Sequence, residues 1–201
     1  MLQADPNLPS LPATAASQPT IRMASLGDLD RLTHVLTASF YSGDGWRQWV
    51  YPFVRLGIYE DLKQRLKAQS PRYVCLAALP LPPAHQPLDD AIAGTAEASL
   101  RQPWPWQGDR HVYISNLAVE AAYRRQGIAR RLLQSCEQVA LQWCVHELRL
   151  HVMEDNYAAR ELYRKFGFST VQAEDSPASW LGLQARRLLL HKQLSPLRPP
   201  Q

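Results

Sequence analysis

Apolar residues recur along this chain with two different spacings, and the changes of spacing mark out its elements. Leu29, Leu32, Val35, Leu36 and Phe40 fall at helical intervals. The preceding Ser25-Leu26-Gly27-Asp28 has the form of a capping box that opens a helix. Between Trp46 and Ala68 the helical pattern returns, with Ile58, Tyr59, Leu62 and Leu66 on one face. Pro52 inside that pattern requires a start, kink or break. Short apolar runs at Ile21–Ala24, Tyr73–Ala78, Ala91–Leu100, His111–Val119 and Glu147–Met153 read as strands. A helix from about Gly127 to Trp143 presents Ile128, Leu132, Leu133, Cys136, Val139 and Ala140, and a shorter one from Asn156 to Phe166 stops at Gly167. Two closing strands are expected near Phe168–Val171 and Arg186–His191.

The interruptions are equally clear. Tyr41–Gly45 breaks the first helix, and Leu79–Asp90 carries Pro80, Pro82, Pro83 and Pro87. Arg101–Arg110 is irregular, with Trp104 and Trp106 set between prolines. Residues 1–19, rich in Pro, Ala, Ser and Thr, read as a disordered leader, and residues 194–201 as a flexible tail. One folded domain over residues 20–193 remains.

Composition narrows the class. A chain of 201 residues with 46% hydrophobic and 20% charged positions suits one globular domain. Its net charge of +4 suits an anionic ligand, but it is too diffuse for nucleic acid. No apolar run approaches the roughly 20 residues of a membrane span, and the N-terminus lacks the charged and apolar regions of a secretory signal. Cys75, Cys136 and Cys144 show neither a CxxC pair nor metal-ligand spacing, so reduced thiols and no metal are expected. Cys136 and Cys144, eight positions apart on the expected helix, read as small buried apolar side chains.

The densest basic cluster, Arg124-Arg125 and Arg130-Arg131, flanks Gly127 between a strand and a helix. The first turn of a helix leaves backbone N–H groups unpaired, and the helix dipole adds positive character there. Gly127 and Ala129 lack bulk where a ligand must approach the backbone. Such a turn suits a phosphate or pyrophosphate. It matches neither the Walker A pattern nor GxGxxG, and alone it supports an anion site and no more.

Two successive segments, ISNLAVEAAYRRQGIARRLL and LRLHVMEDNYAARELYRKFGF, resemble motifs A and B of the GCN5-related N-acetyltransferase superfamily. Arg124-x-x-Gly127-x-Ala129 satisfies the first motif's turn, and Asn156, Ala159, Leu162, Tyr163, Gly167 and Phe168 satisfy the second. The resemblance implies an α/β (α+β) fold: a single domain with a central mixed, mostly antiparallel sheet splayed into a V, flanked by about four helices. It also implies acetyl-CoA as co-substrate. Leu117, Ala118 and Val119 would then bond the pantetheine through their main chain. N–H groups of Arg125, Gln126, Gly127, Ile128, Ala129 and Arg130 would cradle the pyrophosphate, with Arg124 at the mouth. Asn156 and Ala159 would lie along the pantetheine arm, and Tyr163 near the thioester sulfur.

Acyl transfer to an amine poses two proton problems. Near pH 7.5 a lysine amine is about 0.1% neutral, whereas an α-amine is about a third neutral. Full proton transfer from a phenol to a thiolate is uphill by about 2 kcal/mol, so Tyr163 is expected to act first as a hydrogen-bond donor. No carboxylate stands in the middle of HVYISNLAV, where alternation puts Tyr113, Ser115 and Leu117 on one face. Tyr113-Ile114 on this strand and Leu150-His151-Val152 on the next resemble certain N-terminal α-amine acetyltransferases. The resemblance assigns Tyr113 and His151 to deprotonating the amine through water, and an ordinary imidazole titrates near about 6.5. Glu97 on the preceding strand is a reserve base, and Glu154 and Asp155 are expected to cap and charge the next helix.

The whole pattern resembles the plastid and cyanobacterial branch of the superfamily, which points to a protein acceptor: a lysine side chain, an N-terminal α-amine, or both. A small-molecule amine is the alternative, and a non-catalytic acyl-CoA-binding regulator is a further one. Neither nucleic acid nor membrane is an expected partner. The expected compartment is the cytoplasm, or the plastid stroma in a eukaryote. Residues 41–59, 79–90 and the Trp104/Trp106 segment are the expected walls of the acceptor groove.

Overall fold

The computed structural model describes residues 19–40, 47–80, 91–102, 110–176, 179 and 184–195. The strands are β1 (Thr20–Met23), β2 (Tyr73–Leu79), β3 (Gly94–Arg101), β4 (His111–Val119), β5 (Glu147–Met153), β6 (Ser169–Glu174) and β7 (Arg187–Gln193). The helices are α1 (Leu29–Phe40), α2 (Arg47–Ala68), α3 (Ile128–Gln142) and α4 (Tyr157–Lys165), with single 3-10 turns at Leu26–Asp28 and Ala121–Tyr123. All seven strands join one sheet in the order β1-β2-β3-β4-β5-β7-β6. Every pairing is antiparallel except β4 with β5, which α3 connects. A parallel pair needs such a crossover, and the crossover brings the N-terminus of α3 to the end of β4.

Side-chain alternation distributes the core over both faces. On one face Ala96, Ala98, Val112, Ile114, Leu148 and Leu150 pack against Ile128, Leu132, Leu133 and Cys136 of α3 and Tyr163 of α4. On the other, Leu29, Leu32, Val35 and Leu36 of α1 and Leu62 of α2 cover Cys75, Ala77 and Ala118. That second layer lies over the β2–β4 side of the sheet. The alanines of β2 and β3 let both helical layers approach closely.

The Ser25–Asp28 capping box is formed. Asp28 Oδ2 accepts from Ser25 N–H at 2.7 Å, and both carboxylate oxygens receive Arg22 at 2.7 Å. The Arg22 guanidinium beside it draws the Asp28 carboxyl down to about 2, against the opposing effect of burial.

Several expectations need correction. α2 runs through Pro52 in its second turn, so neither a start nor a break of the helix falls there. β3 begins at Gly94 and not at Ala91, although Ile92 and Ala93 just before it are buried. Cys136 is buried as expected, but Cys144 is exposed: α3 ends at Gln142, and Cys144 lies beyond it with φ 54°. Glu154 does not cap α4. Its carboxylate pairs with Arg186 at 2.8 Å, and the cap is Asn156, which accepts from Ala159 N–H at 3.1 Å. Residues 1–18, 41–45, 81–90, Trp104, Trp106 and 196–201 lie outside the described residues. Leu194, one residue beyond β7, is buried in the α3-side core, and its N–H bonds His146 O at 2.7 Å.

Candidate active site

The site is built around the place where β4 and β5 part. The two strands pair at Val112–Leu148, Tyr113–Arg149 and Ile114–Leu150, and no further pair follows toward the C-terminal ends. β4 nevertheless stays paired with β3 as far as Val119. The β5-facing side of β4 from Ser115 onward therefore has no partner strand, which is the splay expected from the sequence.

A bulge lies at the same point. Glu97 pairs with Ser115 and Thr95 with Ala118, so β4 carries one residue more than β3 there. Asn116 sits in the bulge with φ 53°, a left-handed conformation that asparagine tolerates better than most residues. The extra residue reverses the alternation that placed Leu117 with Tyr113 and Ser115. Leu117 and Val119 pack with the α3-side core, and Ala118 joins the α1–α2 side. Buried Glu97, 1% exposed, spans the bulge: Asn116 Nδ2 donates to its Oε1 at 2.9 Å and Arg65 Nη1 to its Oε2 at 2.5 Å. Both oxygens are engaged and buried, so Glu97 anchors the bulge. Asn116 was missed in the sequence. Its one signal was an asparagine inside an apolar strand, where asparagine is depleted.

At the end of β4 the turn carries two left-handed residues, Arg125 with φ 66° and Gly127 with φ 79°. Gly127 is the N-cap of α3 and supplies no side-chain cap. Arg131 N–H makes the first intrahelical bond, to Gly127 O at 3.0 Å. By helix geometry the N–H groups of Gly127, Ile128, Ala129 and Arg130 have no intrahelical acceptor. A Cβ on Gly127 would meet nothing within 4 Å, so the space above the turn is open. Beneath it, Gly94 is closed in: a Cβ there would lie 2.8 Å from the Ala118 carbonyl oxygen and 3.1 Å from Ile128 Cγ2. Arg124 is tied back, its Nε donating to Val119 O at 3.2 Å. Open N–H groups, a positive helix end and exposed arginines fit a pyrophosphate.

Asn156 and Tyr163 come from α4. The Asn156 carbonyl oxygen is used in the cap, while its amide nitrogen takes no partner among the described residues. Ala159, one turn on, is half-buried against the α3-side core. Tyr163 is buried, edge-on to Phe168 at 5.8 Å between ring centroids. Burial pushes its phenol up to about 12. A raised phenol pKa disfavours full proton transfer to a thiolate and leaves hydrogen-bond donation from Tyr163 less affected.

Tyr113 and His151 meet as the sequence suggested. The Tyr113 hydroxyl lies 2.8 Å from His151 Nδ1 and the rings are 5.7 Å apart. They stand on the α1–α2 face of the sheet, beyond the part those helices cover. His151 Nε2 lies 2.9 Å from Glu174 Oε1 on β6, a residue with no local signal in the sequence pattern. Arg187 of β7 holds the other Glu174 oxygen at 3.3 Å. Burial raises the Tyr113 phenol above its ordinary range, with the charges of Arg187 and Arg101 opposing. Among the described residues no cluster of His, Cys, Asp or Glu has the arrangement of a metal site, and no helix is long and apolar enough to cross a membrane.

A splayed parallel pair, a helix N-terminus at its end and a second helix carrying Asn156 and Tyr163 together define a coenzyme-binding transferase architecture. The Acetyltransferase (GNAT) family matches residues 46–168, and the chain belongs to that family. GCN5-related N-acetyltransferase 10, chloroplastic, of Arabidopsis thaliana is 29% identical over 153 residues, which are 72% of this chain and 59% of that protein. The chain thus spans less than two thirds of that relative's length. Bovine (Bos taurus) thialysine N-epsilon-acetyltransferase is 28% identical over 123 residues, 56% of this chain and 71% of that enzyme. Among solved structures, PaiA N-acetyltransferase from Thermoplasma acidophilum in complex with coenzyme A aligns with TM-score 0.65 and 21% identity, covering 88% of this chain and 99% of that one. Arabidopsis thaliana NAA60 in complex with a bisubstrate analogue aligns with TM-score 0.64 and 19% identity, covering 89% and 99%. These two likenesses show the fold.

Proposed function

We propose that this chain transfers the acetyl group of acetyl-CoA to a primary amine of a protein, either an N-terminal α-amine or a lysine side chain. The observation that carries the reading is the 2.8 Å contact of the Tyr113 hydroxyl with His151 Nδ1, set where β4 and β5 separate. An acceptor amine entering from the α1–α2 face would meet this pair, while the coenzyme would enter from the side of α3 and α4. Acetyl-CoA supplies the activated acyl group. Leu117, Ala118 and Val119 would hold its pantetheine through main-chain groups, and the turn from Arg124 to Arg130 its pyrophosphate. The Tyr163 hydroxyl would donate to the departing thiolate, and Asn156 and Ala159 would line the arm.

The ribosomal-protein-S18-alanine N-acetyltransferase of Escherichia coli, which shares this fold at TM-score 0.61 and 18% identity, supports a protein acceptor. The thialysine acetyltransferase relative supports a small amine as the second reading. The chloroplastic relatives favour the plastid stroma for a eukaryotic source. Incubation with acetyl-CoA and a peptide library, read by mass spectrometry, tests the acceptor. Acetylated N-termini or lysines are the expected result, and turnover on a small amine with no acetylated peptide would reverse the ranking. Thermal stabilisation by CoA without turnover on any amine would favour a binding regulator instead. Within the protein-acceptor reading, His151→Ala is expected to lower kcat and alter its pH profile. Unchanged values for both would remove His151 from the base.

A further inference from the structure

The carboxylate of Glu174 and the hydroxyl of Tyr113 occupy the two nitrogens of one imidazole, and an ionised carboxylate can only accept. His151 Nε2 must then carry the hydrogen in the 2.9 Å contact with Glu174. Its Nδ1 is left as the acceptor for the Tyr113 hydroxyl at 2.8 Å. The opposite tautomer would set a nitrogen lone pair against the carboxylate.

Register explains how Glu174 reaches across a strand. His151 pairs with Leu189 of β7, and Glu174 pairs with Arg187, two residues earlier on the same strand. A register shift between Thr170 and Gln172 brings Gln172 opposite Leu189 and Glu174 opposite Arg187, which puts Glu174 on the face that carries His151. Arg187 Nη2 then clamps Oε2 and leaves Oε1 aimed at the imidazole.

We propose that Glu174 is a positioning residue that fixes the tautomer of His151, so that the acceptor's proton enters the protein through the Tyr113 hydroxyl and reaches His151 second. This rests on the reading of Tyr113 and His151 as the base. In the step, an ammonium proton passes to Tyr113 Oη, directly or through one water, as the tyrosine's own proton moves to His151 Nδ1. The imidazolium is stabilised by Glu174. The neutral amine then forms the C–N bond, the C–S bond breaks, and the second amine proton balances the thiolate as CoASH. Burial raises the Tyr113 phenol, which disfavours a phenolate between the two transfers. The Glu174 carboxyl is itself held below the ordinary range, first by the hydrogen bond from His151, so it accepts throughout the neutral range.

Other charged groups on this face are already engaged or stand at its rim. Arg101 of β3 lies over the Tyr113 ring at 5.9 Å. Arg149 of β5 is paired with Glu147 at 2.8 Å, and His191 of β7 approaches the same Glu147 at 3.5 Å. None competes for either nitrogen of His151.

The test uses the full chain labelled with 15N-histidine, His151 being assigned by the signal lost in His151→Gln. Long-range 1H–15N correlation at neutral pH is expected to show hydrogen on Nε2 and an acceptor Nδ1. In parallel, Glu174→Gln is expected to lower kcat for peptide acetylation about 10-fold with KM within about twofold. Loss of the carboxylate charge also moves the acidic limb of the kcat profile to lower pH, which a purely structural role would not do. Glu174→Ala is expected to cost more than Glu174→Gln, since it removes the acceptor as well. Hydrogen on Nδ1 in the wild type, or a Glu174→Gln enzyme with wild-type kcat and pH profile, would overturn the proposal. If Glu174→Gln fails to fold, the wild-type tautomer decides the matter. An Nε2–H tautomer in a protein that acetylates no amine would overturn the functional reading and leave the geometry. An active enzyme with the opposite tautomer would overturn the role of Glu174 and leave the functional reading.

Discussion

The turn from Arg124 to Arg130, at the start of α3, and the chain Tyr113–His151–Glu174, on the α1–α2 face of the sheet, both adjoin the gap between β4 and β5, and they are assembled in opposite ways. The turn is continuous in sequence and would hold its ligand mainly through main-chain groups. Two left-handed residues and a helix N-terminus suffice to point several N–H groups at one place. The proposed acceptor side draws Tyr113, His151, Arg187 and Glu174 from four strands and joins them through side chains alone. Main-chain recognition tolerates changes of side chain around it but not changes of backbone conformation. A side-chain relay behaves the other way, failing when one functional group is lost while the backbone stands.

Substitutions on the two sides should therefore separate binding from chemistry. Tyr113→Phe keeps the ring and removes the hydroxyl, and kcat is expected to fall about 100-fold. CoA affinity, measured by calorimetric titration, should stay within about twofold of wild type. A parallel loss of CoA binding would mean that the two sides are not separable.

Gly94→Ala is the converse. Its methyl would press on the Ala118 carbonyl and on Ile128, and neither backbone nor a packed isoleucine yields easily. Stability should drop by about 2 kcal/mol, with weaker CoA binding, while the His151 tautomer is retained. Thermal melts, CoA titration and imidazole NMR check the three parts.

Acid supplies a contrast that touches neither side of the gap. Asp28 has a folded pKa of about 2, depressed from 3.8. Its stabilisation is therefore present above pH 3.8 and is lost as pH falls through about 2. Urea midpoints should fall over that window by the equivalent of about 1 to 2 kcal/mol, and Asp28→Asn should flatten the slope. A full loss of stability complete above pH 4 would assign acid sensitivity to another group.

The smallest effect expected is at Gly127→Ala. The added methyl meets nothing, so the cost is that of a left-handed alanine, about 1 kcal/mol. CoA affinity should fall further than the melting temperature suggests, because the same turn aims the N–H groups. Equal changes in both would mean that the turn does not organise the ligand site.

Among the described residues the seven strands and helices α1 to α4 were legible in the local sequence pattern, since each depends on residues within one element. The anion-binding turn was legible for the same reason. Alternation misled at Leu117, because a bulge adds one residue and turns every later side chain over. Cys144 misled because apolar spacing continued past the point where α3 stops. The role of Glu97 was open from sequence. Only the approach of Arg65 from α2 and of Asn116 from the bulge showed both of its oxygens occupied.

The sequence by itself determined where a coenzyme could be held, because β4, the turn and α3 follow one another and their backbone geometry is local. It also nominated Tyr113 and His151, though not what each does. Tertiary structure decided the width of the gap, through pairing that stops at Ile114. It also decided which imidazole nitrogen faces the tyrosine. Tyr113 and His151 are 38 residues apart, and His151 and Glu174 are 23. The first contact depends on the parallel pairing of β4 with β5 and the second on β7 returning between β5 and β6, and strand order across a sheet is set by the packing of the whole core.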